Sequence, residues 1–449
     1  MRGATLALAL AGVTISCGPA PRPTPLERPV ADAGVEAAQA DVPGRAPTPA
    51  ETRAIRRLMR VAESIRSLRF ASEVPFRVQD REVITQFVRE QIDAEELERA
   101  RIFYVAIGLL EPDLAVDELI VRVLGEQIVG YYDPERSLLV VREDVAMELG
   151  RSARSARALG EAEMVIVHEL VHALQDQRLG LGAQYRAERT IDGSNAFAMV
   201  VEGDATLAMI GHMIGLEGQP LAALTRNTAR MRSMIRDSPD PVRGQEMESA
   251  PAIVRLPLVA RYLDGLVFCA TLHGERGWSG VDEAHRRPPV STEQALHPER
   301  YAAGERPDDV VIGELPELAA AGLTPHEEDT LGELELGIWL GLGDPGRERD
   351  EVGADGWGGD RLRVYRDAEG ATSVVWFTSW DDEAEAREAE AAARRVVAAR
   401  AGAARAPGHV ERRGRAVLVL LDLATALKEP VRRAFDAFAT SLPPAPPRD

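Results

Sequence analysis

The sequence predicts an α+β protein: a mostly helical main domain with a small sheet, followed by a smaller α+β domain. Three observations carry this. Long helical periods dominate residues 51–315. Two β-rich runs, QIVGYYD (127–133) and LLVV (138–141), flank a turn built on Asp133-Pro134-Glu135-Arg136-Ser137, the pattern of a hairpin. Past residue 325 the texture changes to short strand-like runs between charged helices.

Taken in order, Arg2 precedes the apolar run ATLALALAGVTIS, which stops before Cys17. A bilayer crossing takes roughly 20 apolar residues, so residues 1–16 read as a secretory signal instead. Thr14-Ile15-Ser16-Cys17 resembles a bacterial lipobox, which implies that Cys17 becomes the lipidated first residue of an exported lipoprotein of the cell envelope, on the outer-membrane or periplasmic face. Residues 17–50 are rich in proline and alanine without an apolar period, the composition of a tether. Cysteine occurs only at positions 17 and 269, so a lipid on Cys17 leaves Cys269 without a disulfide partner.

A helix starts near Glu51 with Ile55, Leu58 and Ala62 on one face, and VPFRV (74–78) reads as a strand. Helices over 80–110 and 113–125 lead into the hairpin, and four or more follow it up to about residue 310. In the C-terminal domain (325–449), RLRVY (361–365) and SVVWF (373–377) pair as strands. Asp381 is the expected cap of the next helix, and AVLVLLDL (416–423) is a buried strand before a last helix. GWGGD (356–360) reads as a tight turn, and the acidic loop around Asp344, Asp350, Asp355 and Asp360 as solvated rather than calcium-binding, because it lacks the alternating ligand spacing.

Composition is that of an ordinary globular chain of 449 residues. A net charge of −19 argues against nucleic acid and anionic membrane surfaces as partners.

The informative stretch is MVIVHELVHALQDQ (164–177). A helix from Gly160 or Glu161 to about Gly180 has Met164, Val167, Val171 and Leu174 on its apolar face. His168 and His172, four apart, stand one above the other on another face, where two imidazoles can hold one metal ion. Glu169 lies about 100° round the helix, beside such a metal rather than on it. An apolar helix has little use for two imidazoles and a carboxylate unless something satisfies them.

Catalytic zinc takes three protein ligands and keeps an open position. Gln175 and Arg178 stand where a metzincin would have glycine and histidine, so the third ligand must come from elsewhere. Asp176, Glu202 and His212 are the candidates. Glu202 sits in AFAMVVEGDATLAMI, an apolar helix starting near Asp192 to Ser194. His172 lies roughly 12 Å from the end of its helix and Glu202 roughly 13 Å into the next, so the two levels coincide if the helices pack antiparallel. A carboxylate inside an apolar helix also needs a cationic partner. Glu202 is therefore the predicted third ligand.

HELVH followed by VEGDA resembles the gluzincins, zinc peptidases with two histidines and a downstream glutamate, and within them the bacterial peptidase MA-like group. The likeness extends through GYYDP (130–134), RYLDGLVF (261–268) and PPVSTEQALHPERY (288–301), and includes GWGGD. It implies a zincin-like main domain, a Zn2+ cofactor, a peptide or protein substrate and Glu169 as general base. It also implies a histidine or tyrosine that supports the oxyanion, for which His297, Tyr301 and Tyr262 are candidates, His297 first. Ser291 and Gln294 can form a capping box, and Pro298 stops the short helix, which holds His297 at its end. In zincins an edge strand pairs with extended substrate, a role open to the hairpin at 127–141. The gap from His172 to Glu202 is longer than in the aminopeptidase and thermolysin branches, and G-x-M-E-N is missing, so their loop geometry does not carry over.

The sequence thus leads to an exported zinc metallopeptidase. Its rivals are a catalytically inactive zincin-like scaffold that binds a cell-envelope partner and a hydrolase of non-peptide amides.

Overall fold

The structure is a computed structural model and describes residues 42–152, 161–236 and 245–444. The signal, Cys17 and residues 18–41 of the tether lie outside the described residues, whereas residues 42–50 pack on Val78 and Gln79 and lead into the first helix. Helix α1 (Pro49–Arg66) starts at a reciprocal cap: Glu51 N–H donates to Thr48 Oγ1, and Thr48 N–H donates to the Glu51 carboxylate. Its Ile55, Leu58 and Ala62 are buried, the face predicted from their spacing.

Strand β1 (Phe76–Gln79) is followed by α2 (Arg81–Glu90), α3 (Ala94–Ile107) and α4 (Val116–Gln127). The hairpin strands β2 (Gly130–Asp133) and β3 (Leu138–Arg142) come next. Asp133 builds the turn by accepting the N–H groups of Glu135 (2.9 Å) and Arg136 (3.1 Å). The sheet order is β1-β3-β2, with β1 parallel and β2 antiparallel to β3. Arg45 bridges to Val78 and covers the outer edge of β1, whereas β2 turns its outer edge toward the histidine helix.

After α5 (Glu143–Ser152), three long helices form the centre: α6 (Glu161–Leu179), α7 (Ile191–Leu216) and α8 (Ala252–Arg276). By length and composition α7 could cross a membrane, but most of its apolar window is buried in the protein, as in a core helix. The helices α7 and α8 meet where only glycine fits. A Cβ on Gly203 would lie 2.1 Å from the Gly265 carbonyl oxygen, and one on Gly265 would lie 2.3 Å from that of Met199. Gly203→Ala forces the backbones apart and should cost about 3 kcal/mol, the upper end for overpacking. Chemical denaturation measures it, and a midpoint equal to wild type would show that the crossing yields freely.

The C-terminal part holds β4 (Thr324–Asp329), α9 (Gly332–Gly341), β5 (Trp357–Arg366), β6 (Thr372–Trp380), α10 (Glu383–Arg400), β7 (His409–Arg413), β8 (Ala416–Leu421) and α11 (Thr425–Ser441). Its sheet is antiparallel throughout in the order β4-β5-β6-β8-β7. Val375, Phe377, Leu418 and Leu420 pack on Val431, Phe435 and Phe438 of α11. The opposite face, with Leu362, Val374, Trp376 and Val419, joins α9, α10 and the first domain's Phe103, Ile107 and Val123 in one continuous apolar cluster. The β-rich domain is therefore docked on the helices by a shared core.

Several local expectations shift. The α10 cap is Asp382, in a capping box with Glu385, because Asp381 is held by Arg300. A second short helix, Pro298–Ala303, begins at the proline expected to end the first. GWGGD opens strand β5 rather than forming a free turn. Asp360 is buried there and accepts from the Leu331 and Gly332 N–H groups and from the indoles of Trp357 and Trp376. Asp350 is also buried, capping a short helix and pairing with Arg395, so neither residue belongs to a solvated loop.

Glu335 of α9 joins the two parts, accepting from Tyr104 Oη–H and Asn195 Nδ2–H, both at 2.8 Å. Burial pushes its carboxyl up to about 7 against these two bonds. The folded protein therefore holds this proton more tightly than the unfolded chain, and stability falls as pH rises from about 4.5 to about 7. Glu335→Gln mimics the protonated form. It should leave stability unchanged at pH 4 and raise it by about 2–3 kcal/mol at pH 8, read from denaturation midpoints.

Candidate metal centre

The α6–α7 contact brings three of the predicted site residues together. His168 Nε2 lies 3.1 Å from Glu202 Oε2 and 3.1 Å from His172 Nε2. His172 Nε2 lies 3.5 Å from the same Glu202 oxygen. Zinc bonds of 2.0–2.1 Å in a tetrahedron separate neighbouring donors by about 3.3 Å. The two nitrogens and one oxygen thus already have the spacing of three corners of such a shell, in the donor chemistry zinc takes. All three side chains are buried.

The charges agree with that geometry. Burial disfavours a charged His172, but the Glu202 carboxylate outweighs it and lifts the imidazole to about 9. Burial likewise works against an ionised Glu202, yet the two imidazoles hold it far below the ordinary carboxylate range. The pocket is built to receive positive charge.

Glu169 stands beside this group, its carboxylate oxygen within 4.8 Å of the imidazole nitrogens. It could complete a donor set with the two histidines, but Glu202 is nearer to both, and Glu169 Oε2 is taken by the Tyr132 N–H of β2 at 3.0 Å. Burial raises the Glu169 carboxyl, against the pull of His172 and His168. A carboxylate so placed would stand beside a metal held by these donors, where it is suited to moving a proton.

The other candidates are engaged elsewhere. Asp176 accepts from Tyr132 Oη–H (2.8 Å) and Gly182 N–H (3.1 Å). His212 lies further down α7, among the charges of Glu163 and Arg57. His297 pairs through Nε2 with Glu333 at 3.0 Å and, among the described residues, makes no hydrogen bond or ion pair with the three donors. Tyr301 donates to the Arg287 carbonyl and packs edge-on to Phe268. Tyr262 alone among the oxyanion candidates is at the centre, its ring 6.0 Å from that of His168. Burial, then the Glu202 and Glu169 charges, raise its phenol well above the usual range, so it stays a donor. The Gly203–Gly265 crossing makes this possible by drawing the RYLDG segment of α8 onto the Glu202 turn of α7.

Sequence reasoning missed the support behind the ligands. Asp204, fully buried, accepts from Arg66 Nε (2.6 Å), His285 Nε2 (2.9 Å) and Gln175 Nε2 (3.0 Å). Arg66 also pairs with Asp282 at 2.6 Å. The available signal was a second acid, Asp204, two residues after Glu202 in the same apolar helix.

A family described as a domain of unknown function (DUF8575) matches residues 321–426, which span the five strands of the C-terminal sheet. The chain matches no curated protein. Among solved structures it is similar to "a putative hydrolase with a novel fold" from Chloroflexus aurantiacus, at 15% identity and a TM-score of 0.29, over 60% of this chain and 96% of that one.

Proposed function

We propose that the chain is an exported zinc-dependent peptidase whose ligands are His168, His172 and Glu202 and whose general base is Glu169. The observation that carries this is the near-tetrahedral spacing of the three donors beside a separately held carboxylate. The gluzincin-like pairing of HELVH with VEGDA supports it.

Zinc held by these donors would act as a Lewis acid toward a peptide carbonyl and a water molecule. Glu169 takes the proton of the attacking water and returns it to the leaving amine. The Tyr132 N–H keeps one Glu169 oxygen in place and leaves the other for this work. Tyr262, whose ring lies beside that of His168, would donate a hydrogen bond to the carbonyl oxygen as negative charge builds on it. Among the described residues the hairpin offers an extended peptide no free edge, because β2 is buried along its length and its outward Tyr132 N–H is taken by Glu169.

Metal analysis of the purified protein and digestion of a denatured protein and a peptide library test the reading. One zinc per chain with hydrolysis supports it. Zinc without hydrolysis favours the inactive scaffold, and cleavage restricted to non-peptide amides favours the third class. The envelope location has its own check. Cys17→Ser should move the protein from the membrane to the soluble fraction, and a wild type already wholly soluble would remove the lipid anchor.

A further inference from the structure

We infer that Gln175 is the positioning residue of the metal centre, fixing both the ring of His172 and the level of Glu202 against it; this rests on the metal-centre reading above. An amide has one acceptor oxygen and two N–H donors. Both donors of Gln175 are committed to α7, where Nε2 gives one to the Val201 carbonyl and one to Asp204 Oδ2, each at 3.0 Å. The oxygen therefore has to face the other way, and it lies 2.9 Å from His172 Nδ1. An oxygen in that place accepts, so Nδ1 carries the hydrogen. In the neutral ring that a metal would take, the Nε2 lone pair is then left toward His168 and Glu202.

Val201 and Asp204 bracket Glu202 in sequence. The same side chain that sets the imidazole tautomer thus grips the turn of α7 that carries the acidic ligand. Asp204 is itself locked by Arg66 and His285, so the Gln175 amide is not free to rotate. The two histidines differ in this respect. His172 Nδ1–H is buried against a protein acceptor, whereas His168 makes no hydrogen bond through Nδ1 among the described residues. Gln175 does not face the donor triangle and acts only through His172 and α7, which separates its role from that of a ligand.

Cobalt(II) substitution of the full chain gives a readout independent of turnover, since imidazole N–H protons next to cobalt are strongly shifted in proton NMR. The wild type should show two such exchangeable signals. The His172 signal should persist in D2O for far longer than the His168 signal. Gln175→Met keeps an unbranched side chain of similar length and removes the amide. It should make the slow signal exchange quickly and weaken cobalt binding by about 10- to 100-fold, while the circular dichroism spectrum stays that of the wild type. If Gln175→Met does not fold, the wild-type exchange measurement still decides. Two wild-type signals that exchange at the same rate overturn the role of Gln175, as does a folded Gln175→Met with unchanged affinity and a persistent slow signal. A wild type that binds no cobalt overturns the metal centre itself, and the role of Gln175 with it.

Discussion

Glu169→Gln is expected to lower peptide hydrolysis by at least about 100-fold, since loss of a general base typically costs 10²- to 10⁴-fold. Zinc content should not change. The substitution is nearly isosteric, and the glutamine oxygen can still accept from Tyr132 N–H, so β2 and α6 keep their contact. What is lost is the ability to take a proton from water and return it to the leaving amine. Measured at matched zinc content, a structural metal site predicts no hydrolysis in either form. A contaminating protease predicts equal hydrolysis in both. Either outcome removes Glu169 from the mechanism and the peptidase reading with it.

The α+β class was legible because apolar periods report which faces are buried. Ile55, Leu58 and Ala62 mark the buried face of α1, and the unbroken apolar run AVLVLL marks a strand buried on both faces. The docking of the two parts was not legible. Trp339, whose indole donates to the Ile107 carbonyl, looks in sequence like any core tryptophan, and nothing local announces its distant partner. The acidic residues near 350 misled for a related reason. Asp350 and Asp360 resemble solvated loop residues until helix N-termini, indoles and an arginine from elsewhere in the chain meet them.

The meeting of His168, His172 and Glu202 was legible in sequence because helix rise converts residue counts, taken back from the end of α6 and forward from the start of α7, into levels that coincide when the two helices pack antiparallel. The surroundings were not, because they depend on a third helix. Tyr262 and His297 are equally plausible donors from residue type alone. The α7–α8 crossing separates them, bringing the first onto His168 and leaving the second on Glu333. That crossing rests on two glycines that carry no chemical signal of their own.

Glu202→Ala is expected to weaken zinc binding by more than about 100-fold, beyond the 10- to 100-fold that loss of a supporting residue costs. The structure makes Glu202 the only carboxylate within 3.5 Å of both imidazoles among the described residues. It is also the charge that holds His172 above its ordinary range. Its removal leaves two imidazoles and the neighbouring guanidinium of Arg261, with only the Glu169 carboxylate, tied to Tyr132 N–H, to balance a dication. Glu202→Gln keeps the volume and the helix packing, so it separates loss of a ligand from loss of fold. Both variants should lose zinc on dialysis while keeping the wild-type circular dichroism spectrum. If zinc content stayed at one per chain in either, the third donor would have to be reassigned to Glu169 or Asp176. Glu169 would have to give up the Tyr132 N–H, and Asp176 the Tyr132 hydroxyl and the Gly182 N–H. Each of those bonds ties α6 or its C-terminal turn to the sheet or the next short helix, so such a swap would move β2 or the turn after α6. A shift in the amide signals of residues 130–133 or 180–182 would reveal it, and their constancy with zinc lost fixes Glu202 as the ligand.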